Sequence, residues 1–164
     1  MVKFENLIIN DIGKLKLITI KNVTFENCHC LRGSLYLESI DKVTINKCVF
    51  KWVGEKNERP GDYSINRAIS ANLENCQLTV TNTSFSNYEV KRYDTSHYYM
   101  DSWYYTGAVL YNQSENDTNN QILFDNCNFS NIHTAQSESG RYGNDAILKE
   151  NDCFSSVMVT NCHF

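Results

Sequence analysis

Residues 78–87 read LTVTNTSFSN. Apolar Leu78 and Val80 alternate with polar Thr79 and Thr81, which is the period of a half-buried strand. Asn82 breaks the alternation, and Phe85 and Asn87 follow it. The same order recurs as ITIKNVTF (18–25), VTINKCVF (43–50), ILFDNCNF (122–129) and VMVTNCHF (157–164). The template is apolar, any, apolar, any, usually Asn, small, any, Phe. Its fifth position holds Asn22, Lys47, Asn82, Asn126 and Asn161, and its sixth Val23, Cys48, Thr83, Cys127 and Cys162. VKFEN (2–6) repeats the second half, so phenylalanines fall at 4, 25, 50, 85, 129 and 164.

A weaker motif lies between successive copies: GSLYL (33–37), RAISA (67–71), GAVLY (107–111) and DAILK (145–149). Each cycle therefore supplies three short strands. The phenylalanines are 21, 25, 35, 44 and 35 residues apart, and the extra residues fall between each Phe and the next small-apolar strand. Stacked parallel strands tolerate such insertions at one turn. A propeller would need four strands per repeat and a steadier length. The pattern predicts an all-β fold: a right-handed parallel β-helix, a solenoid with three short strands per coil, about five coils, and long insertions from one turn. Residues 1–164 are expected to form one such segment, part of a longer chain.

Ile18, Ile20, Val43, Ile45, Leu78, Val80, Ile122, Phe124, Val157 and Val159 are expected to point inward. Phe25, Phe50, Phe85, Phe129 and Phe164 should form a stacked column. The Asn positions should form an amide ladder, which Lys47 interrupts. Cys48, Cys127 and Cys162 share one template position and read as a buried column of small side chains. Cys28 and Cys30 flank His29, but no further ligands stand at metal-site spacing. A disulfide among Cys28, Cys30, Cys76 and Cys153 stays open, so the seven cysteines do not fix the compartment.

The composition, 41% hydrophobic and 21% charged, is that of a globular chain. A net charge of −4 without a Lys/Arg cluster argues against nucleic acid. The chain carries no apolar run of the roughly 18 residues that membrane insertion needs, and MVKFENLIIN lacks the apolar run of a signal peptide.

NCNFSN (126–131) and NTSFSN (82–87), with GAV at 107–109, resemble right-handed β-helix repeats. Within that group they are most similar to the passenger domains of polymorphic outer membrane proteins and related protist surface proteins, which carry F-x-x-N and G-G-A-[ILV] motifs. Here Asn follows Phe by two positions, at Asn6, Asn27, Asn87 and Asn131, rather than three. The resemblance implies a β-helix with an extracellular or cell-surface, adhesive role. It implies no catalytic residue.

The insertions at 51–66, 88–106 and 130–144 should leave from one edge. YDTSHYYMDSWYYTG (93–107) concentrates Tyr93, Tyr98, Tyr99, Trp103, Tyr104 and Tyr105 in the middle one. Such rings either fold back as a satellite core or form a contact surface for a glycan or a host or cell-surface protein. Five N-x-[ST] sequons occur, at Asn22, Asn82, Asn112, Asn116 and Asn128. Asn22 and Asn82 belong to the ladder and should be inaccessible. Asn112 and Asn116 lie in YNQSENDTNN, which reads as a loop, and are the expected glycosylation sites. An enzymatic reading would draw on Asp94, Asp101, Asp145 and Asp152, with Arg92 or Arg141 stabilising charge, but none stands in a recognisable catalytic motif. No cofactor is expected.

Two functions follow. The first is a structural or adhesive segment of an extracellular or cell-surface protein, part of a filament or larger assembly, with neighbouring copies or adjoining segments at its uncapped ends. The second is carbohydrate binding or polysaccharide processing through the aromatic insertion. VKFEN at one end and Phe164 at the other both match the repeat rather than a capping sequence, which favours the first.

Overall fold

In a computed structural model the described residues are 2–4, 7–9, 17–28, 34–52, 67–90, 109–113, 119–134, 148–151 and 154–164. They are strands joined by bends and short irregular links, and no helix occurs among them. The first cycle contributes β1 (Val2–Phe4), β2 (Leu7–Ile9) and β3 (Leu17–Lys21). The second contributes β4 (Val23–Glu26), β5 (Leu35–Glu38) and β6 (Lys42–Asn46). The third gives β7 (Val49–Lys51), β8 (Ile69–Asn72) and β9 (Gln77–Thr81). The fourth gives β10 (Ser84–Ser86), β11 (Glu89–Val90), β12 (Leu110–Gln113) and β13 (Asn119–Asp125). The fifth gives β14 (Asn128–Ser130), β15 (His133–Thr134), β16 (Leu148–Asn151) and β17 (Phe154–Thr160).

Equivalent strands of successive cycles pair in parallel. Three five-stranded sheets result, ordered β1-β4-β7-β10-β14, β2-β5-β8-β12-β16 and β3-β6-β9-β13-β17. The register follows the template residue for residue. Phe4, Phe25, Phe50, Phe85 and Phe129 align in the first sheet. Ile18, Val43, Leu78, Ile122 and Val157 align in the third. The sequence expected three strands per cycle, and the last two cycles add a fourth. β11 and β15 pair in parallel just after Phe85 and Phe129, so the insertions that follow those residues start side by side.

A single-residue bend links the third sheet to the first. Asn22, Lys47, Asn82, Asn126 and Asn161 all have φ between 51° and 57°. A left-handed residue reverses chain direction without a loop, and Asn tolerates that region better than other non-glycine residues. A second series follows the Phe strand, at Asn27, Asn87 and Asn131. The template Asn is therefore first a backbone requirement. The amide ladder is secondary and partial: Asn126 Nδ2 donates to Asn82 Oδ1 at 2.7 Å and Asn131 Nδ2 to Asn87 Oδ1 at 2.9 Å. Asn161 Nδ2 instead donates to Asp125 Oδ1 at 2.8 Å.

The residue after the bend has a matching task. The Cys48 N–H donates to Thr83 Oγ1 at 3.3 Å, and the Cys127 N–H to Cys162 Sγ at 3.4 Å. Thr83 Oγ1 in turn donates to the Thr81 carbonyl at 2.8 Å, and Cys162 Sγ to the Thr160 carbonyl at 3.1 Å. A small side chain with a heteroatom thus satisfies a backbone N–H one cycle earlier and a carbonyl two residues back. Cys28, Cys48, Cys76, Cys127 and Cys162 are all free thiols, and Cys30 and Cys153 lie outside the described residues.

The inward template residues of the first four cycles are buried: Ile18, Ile20, Val43, Ile45, Leu78, Val80, Ile122 and Phe124. Phe25, Phe50, Phe85 and Phe129 are also buried, with consecutive rings stacked at 4.4, 5.0 and 5.3 Å. Phe124 tilts against both Phe85 and Phe129. The last template copy, residues 157–164, departs from expectation. Val157 and Val159 are each 41% exposed and Phe164 77%, although the Phe164 ring stacks on Phe129 at 5.2 Å. β17 is the edge of its sheet, so its inward residues have a neighbour on one side only.

Candidate functional site

Period-two alternation directs every second residue of the third sheet outward. Gln77 and Thr79 of β9, Gln121 and Leu123 of β13, and Ser156 and Met158 of β17 line a shallow groove of about 300 Å³ together with Ile122. Gln77 Nε2 donates to Gln121 Oε1 at 3.2 Å, which ties two of the amides. The groove offers amide and hydroxyl groups beside the apolar Leu123 and Met158, with no ionisable side chain in its lining. Such a surface can hydrogen-bond a neutral polar ligand.

At the end of β13, Asp125 accepts from Thr160 Oγ1 and Asn161 Nδ2, both at 2.8 Å. These donors, Asn161 first, hold its carboxyl below the ordinary carboxylate range. Beside the groove, the edge strand β17 exposes Val157, Met158 and Val159, with Phe164 beyond them. Four of the five exposed large hydrophobic residues described in the chain therefore lie in residues 157–164. The fifth, Leu17, lies on β3, the opposite edge strand of the same sheet.

Tyr93, Tyr98, Tyr99, Trp103, Tyr104 and Tyr105 lie outside the described residues, as do Asn116, Asp94, Asp101, Asp145, Asp152, Arg92 and Arg141. Asn112 requires a correction. It sits in β12 rather than in a loop and is fully buried. Its Oδ1 accepts from the Leu73 N–H at 3.0 Å. Asn120 is buried as well, accepting from the Cys76 N–H at 2.9 Å and donating to the Leu73 carbonyl at 2.9 Å. Together the two amides staple the 73–76 turn of the preceding cycle, so Asn112 is not an accessible sequon in the folded chain. Asn22 and Asn82 reverse in the other direction: both are exposed, because a left-handed bend throws its side chain outward.

Among the described residues no group of three or more His, Cys, Asp or Glu side chains gathers to hold a metal ion, and no helix is long and apolar enough to cross a membrane. Sequence reasoning found the inward half of the third sheet and passed over its outward half. The signal lies in the second template position and in the residue just before the template, neither of which the repeat specifies. No family model, curated protein or solved structure matches the chain.

Proposed function

We propose that the chain is a right-handed parallel β-helix segment of an extracellular or cell-surface protein, with a structural or adhesive role in a larger assembly. The repeated left-handed bends, the three parallel ladders and the stacked phenylalanines support the solenoid reading. The right hand follows from the general preference for right-handed crossovers between parallel strands of one sheet.

One observation carries the assembly reading. Val157, Val159 and Phe164 occupy template positions that are buried in the described earlier cycles, yet Val157 and Val159 are exposed on the edge strand β17 and Phe164 is exposed beyond its end. Unpaired N–H and C=O groups beside an apolar row form a template for another parallel strand. The partner is a strand of the same template, from a neighbouring copy or an adjoining segment. Sedimentation of the chain over a range of concentrations tests this. The expected result is concentration-dependent association that Val157→Lys with Val159→Lys abolishes. A stable monomer at high concentration overturns it.

The groove beside β17 favours a second reading, carbohydrate binding. Its paired glutamines and hydroxyls suit a neutral polyhydroxyl ligand, and the aromatic insertion would add stacking surface. Glycan-array binding that Gln121→Ala and Trp103→Ala each weaken would support it. Binding unchanged in both variants, or none at all, would remove it.

A further inference from the structure

We propose that Asn22, and not the buried Asn112, is an acceptor for an N-linked oligosaccharide in this chain. Asn22-Val23-Thr24 satisfies the acceptor pattern, with an amide at the first position and a hydroxyl at the third. The other described sequons differ in what holds the amide. Asn112 is enclosed and accepts from the Leu73 N–H. Asn82 is exposed, but its Oδ1 is engaged by Asn126 Nδ2. Asn128 lies within β14, between the equivalent Ser84 on one side and His163 on the other.

Asn22 is exposed at a bend with φ 57°, outside the strand ladders. Its equivalent in the next cycle is Lys47, which carries no side-chain amide to extend the ladder. The side-chain amide of Asn22 therefore has no laddered partner among the described residues. The fold itself is anchored there by the backbone, since the Asn22 N–H donates to the Asn46 carbonyl at 3.1 Å. A sugar on Nδ2 would leave that bond, and the buried neighbours Val23 and Phe25, untouched.

The donor is a lipid-linked oligosaccharide diphosphate. Nδ2 forms a bond to the anomeric carbon, and the bond from that carbon to the phosphate oxygen breaks. The lipid diphosphate leaves with the electron pair, and the amide nitrogen gives up one proton. The biological use of this site rests on the extracellular reading above. The two are separable, because secretion from a heterologous eukaryotic host reads the acceptor itself, while surface labelling of the native cell reads location.

The test is secretion of the full chain behind a cleavable leader, followed by enzymatic deglycosylation in ¹⁸O water and peptide mass spectrometry. The expected result is label at Asn22 and none at Asn112. Asn22→Gln should remove one oligosaccharide from the intact mass. Asn22→Gly, which suits a left-handed bend, should do the same with the fold kept. Unlabelled Asn22 in the secreted wild-type chain, or an unchanged glycan mass in Asn22→Gly, overturns the proposal.

Discussion

Phe85 and Phe164 hold the same template position, and both rings stack on Phe129, at 5.3 and 5.2 Å. One is fully buried and the other 77% exposed. The template thus sets direction and register, while burial comes from the cycles on either side. Stability in such an arrangement belongs to the interface between neighbours more than to any one cycle.

The largest expected effect breaks that comparison at its centre. Phe85→Ala should destabilise the chain by about 3–5 kcal/mol, whereas Phe164→Ala should cost under about 1 kcal/mol because little of that ring leaves water. Denaturant titration of both variants measures the difference, and equal losses would show that Phe164 is covered in solution. Next is Thr83→Val, which keeps shape but removes the acceptor for the Cys48 N–H. Leaving that donor buried should cost about 1–3 kcal/mol, and Thr83→Ser should restore most of it.

A pH series probes the buried thiols. Burial pushes the Cys76 thiol up to about 12 and the Cys127 thiol up to about 11, from an ordinary 9.0. Above the ordinary value the unfolded chain releases these protons and the folded chain keeps them, so stability falls as pH rises. The loss should begin near 9.0 and continue toward 12. Cys127→Ser should flatten the decline when stability at about pH 8 and about pH 11 is compared. The smallest effect is a gain. Lys47 carries φ 53° without the tolerance of Asn, and Lys47→Asn should stabilise by about 0.5–1 kcal/mol, read as a rise in denaturation midpoint.

Much of this architecture was legible because side-chain period and strand register coincide. Phe25, Phe50 and Phe85 align in the structure as they align in the text of the sequence. The bend was legible only as a residue type. Asn82 looked like a ladder amide, and its backbone angle gives the prior reason for it. Cys127 looked like filler, and its thiol proves to be a donor to the Val80 and Asp125 carbonyls, at 3.5 Å each. The surface of the third sheet was hardest to read, because outward positions carry no shared residue to betray them. Asn112 was misplaced for a related reason: polar composition resembles a loop, and nothing in the one-dimensional pattern shows that its partner is the backbone of Leu73, 39 residues earlier.

The companion pairing on the same turn has a consequence for how the chain is made. The Cys76 amide finds its acceptor in Asn120, 44 residues later. At synthesis rates of roughly 5–20 residues per second, the third cycle would wait some 2–9 s for the fourth to emerge. During that interval the Leu73 and Cys76 N–H groups would lack the acceptors that Asn112 and Asn120 provide. A nascent chain paused in between would carry a folded-looking ladder with an unlatched corner, open to whatever chaperone or wrong strand reaches it first. Amide exchange at Cys76 reads the latch directly: slow in the full chain, and fast when Asn120 is replaced by Ala.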